Sequence, residues 1–329
     1  MNPTATHSRE QTISALREGE RFLLATHEHP DGDALGSLLT MSLILRSLGK
    51  DVVSFIAADD FPLSYEYDWL DISEVVCEIP ADVDDRVVVF LDCGNTDRSP
   101  LVDEGAAPDD LLNIDHHHDN TRFGSTNHVV EDASSTAEIV WDLARGLDVQ
   151  LTIEMAEALY LGLITDTGRF MYPNATPRSH EMATDLLAVG IDGNLIFRRV
   201  YENLPEAKLR LFGRALDGAE RYLDGRLTLT VLTNADFEEC KASSSYTEGI
   251  VDFLRAVDGT RVAAVIRETT DENGESYRVS MRSSDGTVDV SKIARAGGGG
   301  GHPAAAGFKS ELNRDDLIAL LCRQISEQS

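Results

Sequence analysis

The side chains best suited to chemistry fall in four short runs, each at the end of an apolar segment. The first is His27-Glu28-His29-Pro30-Asp31-Gly32-Asp33, followed by Ala34-Leu35-Gly36-Ser37. His27, Asp31 and Asp33 offer one nitrogen and two carboxylate donors, and Gly32 lets the backbone turn so that both acids can face neighbouring cations. By itself this run reads equally well as a polar turn with an aspartate helix cap. Asp92 follows Val87-Val88-Val89-Phe90-Leu91, and Asp115 follows Leu111-Leu112-Asn113-Ile114. One acid at a strand end is commonly a turn residue. Three strand ends bearing His or Asp on one sheet edge point instead to a shared site, because ligands of open parallel sheets bind outside the carboxyl ends of the strands. His116, His117 and His118 come directly after Asp115, in a chain with nine histidines, and this company favours ligand or acid–base roles over isolated surface histidines. Asp166, in Leu163-Ile164-Thr165-Asp166-Thr167-Gly168, ends an apolar helix; standing alone it would be a loop residue.

A second set of candidates could touch an anionic ligand. Five consecutive glycines, 297–301, precede His302 and the small residues Ala304, Ala305, Ala306 and Gly307. Glycine runs are usually flexible linkers. Inside a domain they also let backbone N–H groups approach phosphate oxygens closely, which makes Gly299, Gly300, Gly301 and His302 candidates for substrate contact. Arg282, in Val279-Ser280-Met281-Arg282, is a further candidate whose plain alternative is a charge on an edge strand. Ser135 and Thr136 start a helix and could contact a nucleotide, capping being the simpler role.

These residues need elements to position them. Apolar runs predict strands at 21–26, 51–57, 86–91 and 111–114, and helices at 34–48, from 134 through 144, and at 153–165. Strand and helix alternate, which predicts a parallel sheet with helices on both faces. A polar, helix-rich stretch at 176–218 precedes a different rhythm. There, a strand at 227–232, a hairpin of 261–268 and 276–282 around Asp271-Glu272-Asn273-Gly274, a short helix at 290–296 capped by Asp289, and a final helix at 315–326 are expected. The fold class is α/β, divided into a catalytic parallel-sheet domain at 1–190, a helical linker at 191–217 and a smaller α/β domain at 218–329.

The chain has 329 residues, enough for two domains. Lys and Arg number 29 against 57 Asp and Glu, a net charge of −28. That balance argues against a protein that coats long nucleic acid, although solubility or a salty habitat explains it as well. No run approaches the ~18 apolar residues of a membrane span. The N-terminal residues do not read as a signal peptide, and Cys77, Cys93, Cys240 and Cys322 form no CxxC pair. A reducing cytoplasm is the expected compartment.

Taken together, the motifs resemble the DHH family of phosphoesterases: His27 to Ser37, the acid of Val89-Phe90-Leu91-Asp92, the name-giving Asp115-His116-His117, and Ile164-Thr165-Asp166-Thr167-Gly168. The tail from Asp289 through the glycines and His302 to Gly307 is similar to the DHH-associated C-terminal domain. Within the family, length and tail resemble the NrnA-type enzymes, which degrade very short RNA and dephosphorylate 3′-phosphoadenosine 5′-phosphate (pAp); some relatives cleave cyclic di-AMP or pApA. The resemblance implies a two-metal site, with His27, Asp31 and Asp92 on one ion and Asp33, Asp92, His116 and Asp166 on the other. His117 would help the leaving oxygen, and Asp115 would orient an imidazole. Mn²⁺ is the ion implied, with Mg²⁺, Co²⁺ or Fe²⁺ as alternatives. The expected substrates are short oligoribonucleotides, pAp or small adenine dinucleotides, with no membrane or long nucleic acid as partner, and a homodimer is plausible. The second domain would hold the 5′ end of the substrate. A family II pyrophosphatase or exopolyphosphatase is the first rival, disfavoured by the lack of a basic Ser-Arg-Lys-Lys-Gln loop. A RecJ-type exonuclease is the second, since no residues remain for an extra OB-fold domain.

Overall fold

A computed structural model describes residues 3–99, 101, 111–271 and 274–328. The chain divides into two compact units, Met1–Asn203 and Leu204–Ser329. Helix α6 (Gly193–Tyr201) buries Ile196 and Val200 in the core of the first unit, and α7 (Glu206–Asp217) buries Leu211 and Ala215 in the second. The change of unit therefore falls inside the stretch read from sequence as a linker.

The first unit is built on β1 (Arg21–Ala25), β2 (Asp51–Phe55), β3 (Val75–Val76), β4 (Val87–Leu91), β5 (Leu111–Asp115) and β6 (Thr126–Val129). They form one sheet in the order β3-β2-β1-β4-β5-β6, with every pair parallel. Strand order changes direction between β1 and β4, which opens a crevice at their carboxyl ends. His27 follows β1 and Asp92 follows β4, so the sheet delivers both to that crevice.

Helices α1 (Pro3–Glu18), α2 (Gly32–Ser47), α3 (Thr136–Gly146), α4 (Ile153–Asp166) and α5 (Pro177–Val189) share one core with Phe22, Leu24, Val89 and Leu91 of the sheet. Leu23, Ala25, Val88 and Phe90 point to the other face and meet Leu101, Ile79, Val83 and Phe123. Besides the two-residue β3, two elements of this unit escaped the sequence reading. Helix α1 is largely polar, yet buries Ile13 and Leu16. Strand β6 is only Thr-Asn-His-Val, an edge strand whose first two residues stay half-buried.

The second unit holds β7 (Glu220–Tyr222), β8 (Leu227–Leu232), β9 (Val262–Asp271), β10 (Gly274–Ser283), β11 (Gly300–Gly301) and β12 (Ala305–Ser310) in the order β11-β12-β10-β9-β8-β7. The alternation of Leu and Thr in β8 suggests one wet face, but Thr228 and Thr230 are also buried. One face of the sheet packs Leu232, Ala263 and Val265 against α9 (Ile250–Arg255), next to α8 (Asn234–Cys240). The opposite face packs Leu229, Ala264 and Ile266 against α10 (Val290–Ala296) and α11 (Arg314–Ser326). Among the described residues no helix is long and apolar enough to cross a membrane.

Close approach of α2 to α4 fixes the acids they carry. A Cβ at Gly36 would lie 2.3 Å from the Ala158 carbonyl oxygen, and one at Gly162 would lie 2.7 Å from both Asp33 Oδ1 and the Ala137 Cβ. Neither contact leaves room for a methyl group. Gly36→Ala should force the helices apart and cost about 1–3 kcal/mol, read as a lower urea midpoint at unchanged m-value; an unchanged midpoint would contradict the tight crossing.

Candidate metal centre

Each chemical residue sits where an element ends or begins. Asp31 caps α2, its Oδ1 accepting from Asp33 N–H at 3.0 Å and Ala34 N–H at 3.1 Å. The cap reading and the ligand reading of this residue are thus compatible. Asp33 lies in the first turn of α2. Asp92 follows β4 with φ +59°, in the left-handed region, where Asp is tolerated better than bulkier residues. Asp115 is the last residue of β5, and Asp166 the last of α4.

The structure brings all six predicted ligands together. His116 Nδ1 faces the Ala133 carbonyl at 3.3 Å, which leaves Nε2 pointing among three carboxylates: 3.7 Å from Asp92 Oδ1, 3.7 Å from Asp166 Oδ2 and 3.9 Å from Asp33 Oδ2. His27 Nε2 lies 3.6 Å from the other Asp92 oxygen, Oδ2. Donor atoms of His27, Asp31 and Asp92 fall within 4.8 Å of one another, as do those of Asp33, His116 and Asp166. These separations are too long for hydrogen bonds. They suit atoms that share a cation, since donors at ~2.0–2.2 Å from a first-row dication stand roughly 3 Å or more apart. The donor set is oxygen and imidazole nitrogen; the neighbouring Cys93 thiol donates to the Asn95 carbonyl at 3.1 Å, and burial pushes its pKa up to about 12. The cluster is therefore fit to hold divalent cations.

The start of α3 holds two of the acids. Asp33 accepts from Thr136 N–H at 2.6 Å and Ala137 N–H at 2.8 Å, and the Thr136 hydroxyl donates to Asp92 Oδ1 at 3.0 Å. Ser135 Oγ caps the helix by accepting from Glu138 N–H at 3.1 Å. Ser135 and Thr136, for which sequence offered helix capping first and nucleotide contact second, are fully buried against these partners, and Ser135 is the cap. The sequence reading also missed Asn174. Its amide nitrogen reaches the Asp166 carbonyl at 3.0 Å, Asp166 Oδ2 at 3.3 Å and the Ser134 carbonyl at 2.9 Å. No spacing rule signals such a contact, because Asn174 lies in a loop between two helices.

Electrostatics follow from burying like charges. Burial and the charges of Asp92, Asp166 and Asp31 raise the Asp33 pKa well above the carboxylate range. Burial, with Asp92 and Asp31 nearby, raises Asp166 to about 7 against the pull of the imidazoles. Burial also opposes ionisation of Asp92, but His27, His116 and His117 outweigh it and hold this carboxyl below its ordinary value. His117 Nδ1 lies 2.8 Å from Asp115 Oδ1. Burial lowers the His117 pKa, and Asp115 and Asp92 more than reverse that, lifting it to about 9. Asp115 is held in turn by the Asn120 amide at 2.6 Å.

A model of the DHH family N-terminal domain matches residues 21–163, and one of the DHHA1 domain matches residues 237–327. NrnA of Thermus thermophilus, a bifunctional oligoribonuclease and PAP phosphatase, is 33% identical, with 93% of this chain and 89% of that one covered. The chain belongs to the DHH family. It is a hydrolase of phosphoester bonds. An exopolyphosphatase-related protein from Bacteroides fragilis shares the fold at TM-score 0.88 and 23% identity, over 98% of this chain and 96% of that one. RecJ of Thermus thermophilus, solved in complex with Mn²⁺, shares it at TM-score 0.55 and 14% identity, over 99% of this chain and 55% of that one.

In the DHHA1 part of this DHH protein the glycine run is a built element. Gly297 ends α10, Gly298 takes φ +82°, and Gly300 and Gly301 pair with Gly307 and Ala306 as strand β11. A Cβ at Gly299 would lie 2.2 Å from the Gly307 carbonyl oxygen and one at Gly301 2.6 Å from that of Ala305, so the linker reading gives way to an edge hairpin with no room for a side chain at these two positions. His302 N–H donates to the Ala305 carbonyl at 2.7 Å and closes the hairpin. Arg282 pairs with Ala305 across the ladder, and β10 is an interior strand, so the edge-charge reading does not apply. Arg282 and the Gly301-His302 turn share one end of this sheet.

Cations entering the cluster must displace the protons that the raised carboxyls retain. Mn²⁺ titrated calorimetrically near pH 6.5 should release protons, seen as an enthalpy that changes with the buffer's ionisation heat. Affinity should fall as pH drops through about 7, where Asp166 protonates. A buffer-independent enthalpy at that pH would contradict the clustering.

Proposed function

We propose that this chain hydrolyses short oligoribonucleotides and pAp with two divalent cations, Mn²⁺ being the preferred ion. His27, Asp31 and Asp92 would hold one cation, and Asp33, Asp92, His116 and Asp166 the other. The observation that carries this reading is Asp92, whose two oxygens face different imidazoles, Oδ2 toward His27 and Oδ1 toward His116. A carboxylate so divided suits a bridge between two ions. When bound, such a pair supplies charge neutralisation at the phosphoryl oxygens and a lowered pKa for the attacking water.

The chain's own residues do the rest. Thr136 holds Asp92 through its hydroxyl and Asp33 through its N–H, fixing the two carboxylates relative to each other. His117, with its pKa raised to about 9, carries a proton at neutral pH. As the P–O bond to the leaving oxygen breaks, His117 gives that oxygen its proton, and the attacking water loses one to solvent. Asp115 keeps His117 oriented and charged. In the second unit, Arg282 and the Gly299-Gly300-Gly301-His302 hairpin would take the far phosphate of a short substrate. Support for small nucleotides comes from the NrnA of Thermus thermophilus, whose name carries both activities.

The deciding experiment offers Mn²⁺-loaded protein pAp, pApA, a five-nucleotide RNA, pyrophosphate and a long single-stranded DNA. Turnover of the first three with little of the last two is expected; rapid cleavage of pyrophosphate alone would overturn the reading. Asp92→Asn should lose turnover and Mn²⁺ binding together while remaining folded by circular dichroism. Asp115→Asn should lower the rate by up to about 10²-fold. It should also move the alkaline fall of kcat to lower pH, since His117 acts protonated and Asp115 raises its pKa. An unshifted alkaline limb would remove His117 from the proton-donor role.

A further inference from the structure

Beside His27 stands a cation that none of these roles uses. Arg98 ends a short 3-10 turn, Thr96–Arg98, in the loop after β4. Its carbonyl accepts from Glu28 N–H at 2.9 Å, tying this loop to the one after β1, and its Nη2 lies 3.0 Å from His27 Nδ1. Its charge also reaches His117 and Cys93.

Support of His27 is the first explanation to weigh, and it fails on donors and acceptors. His27 Nδ1 also lies 2.7 Å from the Glu28 carbonyl oxygen. A ring nitrogen either donates or accepts. When Nε2 offers its lone pair to a cation, a neutral imidazole carries its proton on Nδ1, and the Glu28 carbonyl is the partner that can accept it. With Nδ1 donating to Glu28, Arg98 presents one N–H to another and has no acceptor on the ring. A guanidinium beside a divalent cation is also repelled, so it adds nothing to metal retention. Its natural partner in a loaded centre is an anion. The same turn carries further polar capacity. Ser99 Oγ, on a residue 1% exposed, and Asn95 Oδ1 have no hydrogen-bond partner among the described residues.

We propose that Arg98 is a phosphoryl-binding residue, parked on His27 in the metal-free protein and turned to a non-bridging oxygen of the substrate once the centre is loaded. This rests on the reading of the site as a two-cation phosphoesterase centre. No bond is made or broken by Arg98; it adds a charge-assisted hydrogen bond to the scissile group.

The test compares wild type, Arg98→Met and Arg98→Lys in three measurements: Mn²⁺ affinity of the metal-free protein, affinity of the Mn²⁺-loaded protein for inorganic phosphate, and steady-state kinetics on pAp. Arg98→Met should keep Mn²⁺ affinity within about twofold and weaken phosphate binding by about 10- to 100-fold, the span of a lost charge-assisted hydrogen bond. Arg98→Lys should recover part of the phosphate affinity. Loss of Mn²⁺ affinity with phosphate affinity unchanged would overturn the proposal and make Arg98 a support for His27. Should wild-type protein cleave neither pAp nor short RNA, the phosphoesterase reading falls separately, and the phosphate titration still decides the role of Arg98.

Discussion

Mutual repulsion among buried carboxylates is the constraint around which the first unit is organised. Asp33, Asp92 and Asp115 are 1%, 2% and 0% exposed, and Asp166 stands beside them. Leaving a charge buried without a partner costs several kcal/mol. Each acid accordingly has a fixed partner that is not a lysine or arginine: backbone N–H groups for Asp33, the Thr136 hydroxyl and two imidazoles for Asp92, His117 and Asn120 for Asp115, and Asn174 for Asp166. Apart from Asp115, which pairs with the His117 imidazole, the hydrogen-bond donors on these acids are neutral and hold Asp33, Asp92 and Asp166 in place without cancelling their charge. That is the arrangement a cation site requires, because a salt bridge at any of these positions would compete with the ion.

The fold serves this constraint through distance. The change of strand order between β1 and β4 puts His27 and Asp92 on adjacent strands. Gly36 and Gly162 let α2 and α4 cross closely enough that Asp33, at the start of one helix, meets Asp166, at the end of the other. The start of α3 then closes on Asp33 with two N–H groups, where the helix dipole favours a negative charge. Three helices and two strands are thus fixed by one cluster, although none is adjacent to all the others in sequence.

The parallel sheet and the residues that cluster at its edge were legible in the sequence for one reason. A buried parallel strand is an unbroken apolar run, and a polar residue at its end stands out against it, as Asp92 does after Val87 to Leu91. The same rule failed for β6, whose Thr-Asn-His-Val carries almost no apolar signal at a sheet edge. It failed for α1, where the apolar residues described as buried are Ile13 and Leu16, in a largely polar helix. The contacts of Thr136 with Asp92 and of Asn174 with Asp166 were not legible because they span 44 and 8 residues and depend on tertiary placement. In the glycine run, composition suggests freedom. The structure instead uses the absence of side chains for packing, since a Cβ at Gly299 or Gly301 would strike the partner strand.

The excess acidity of the chain takes on a specific meaning under the proposed function. At a net charge of −28, general attraction cannot retain an anionic substrate. At physiological salt, surface repulsion fades beyond about 8 Å, so capture is decided by groups in direct contact with the ligand. Under that function Arg98 beside His27 would be one such group, and Arg282 at the end of the second sheet another, since a guanidinium can meet a phosphate with a planar fork of donors. Every added nucleotide brings another negative charge to a chain with 57 acidic and 29 basic residues. Selection for short substrates would then follow from where the positive charge is confined, with no need for a wall that blocks longer ones.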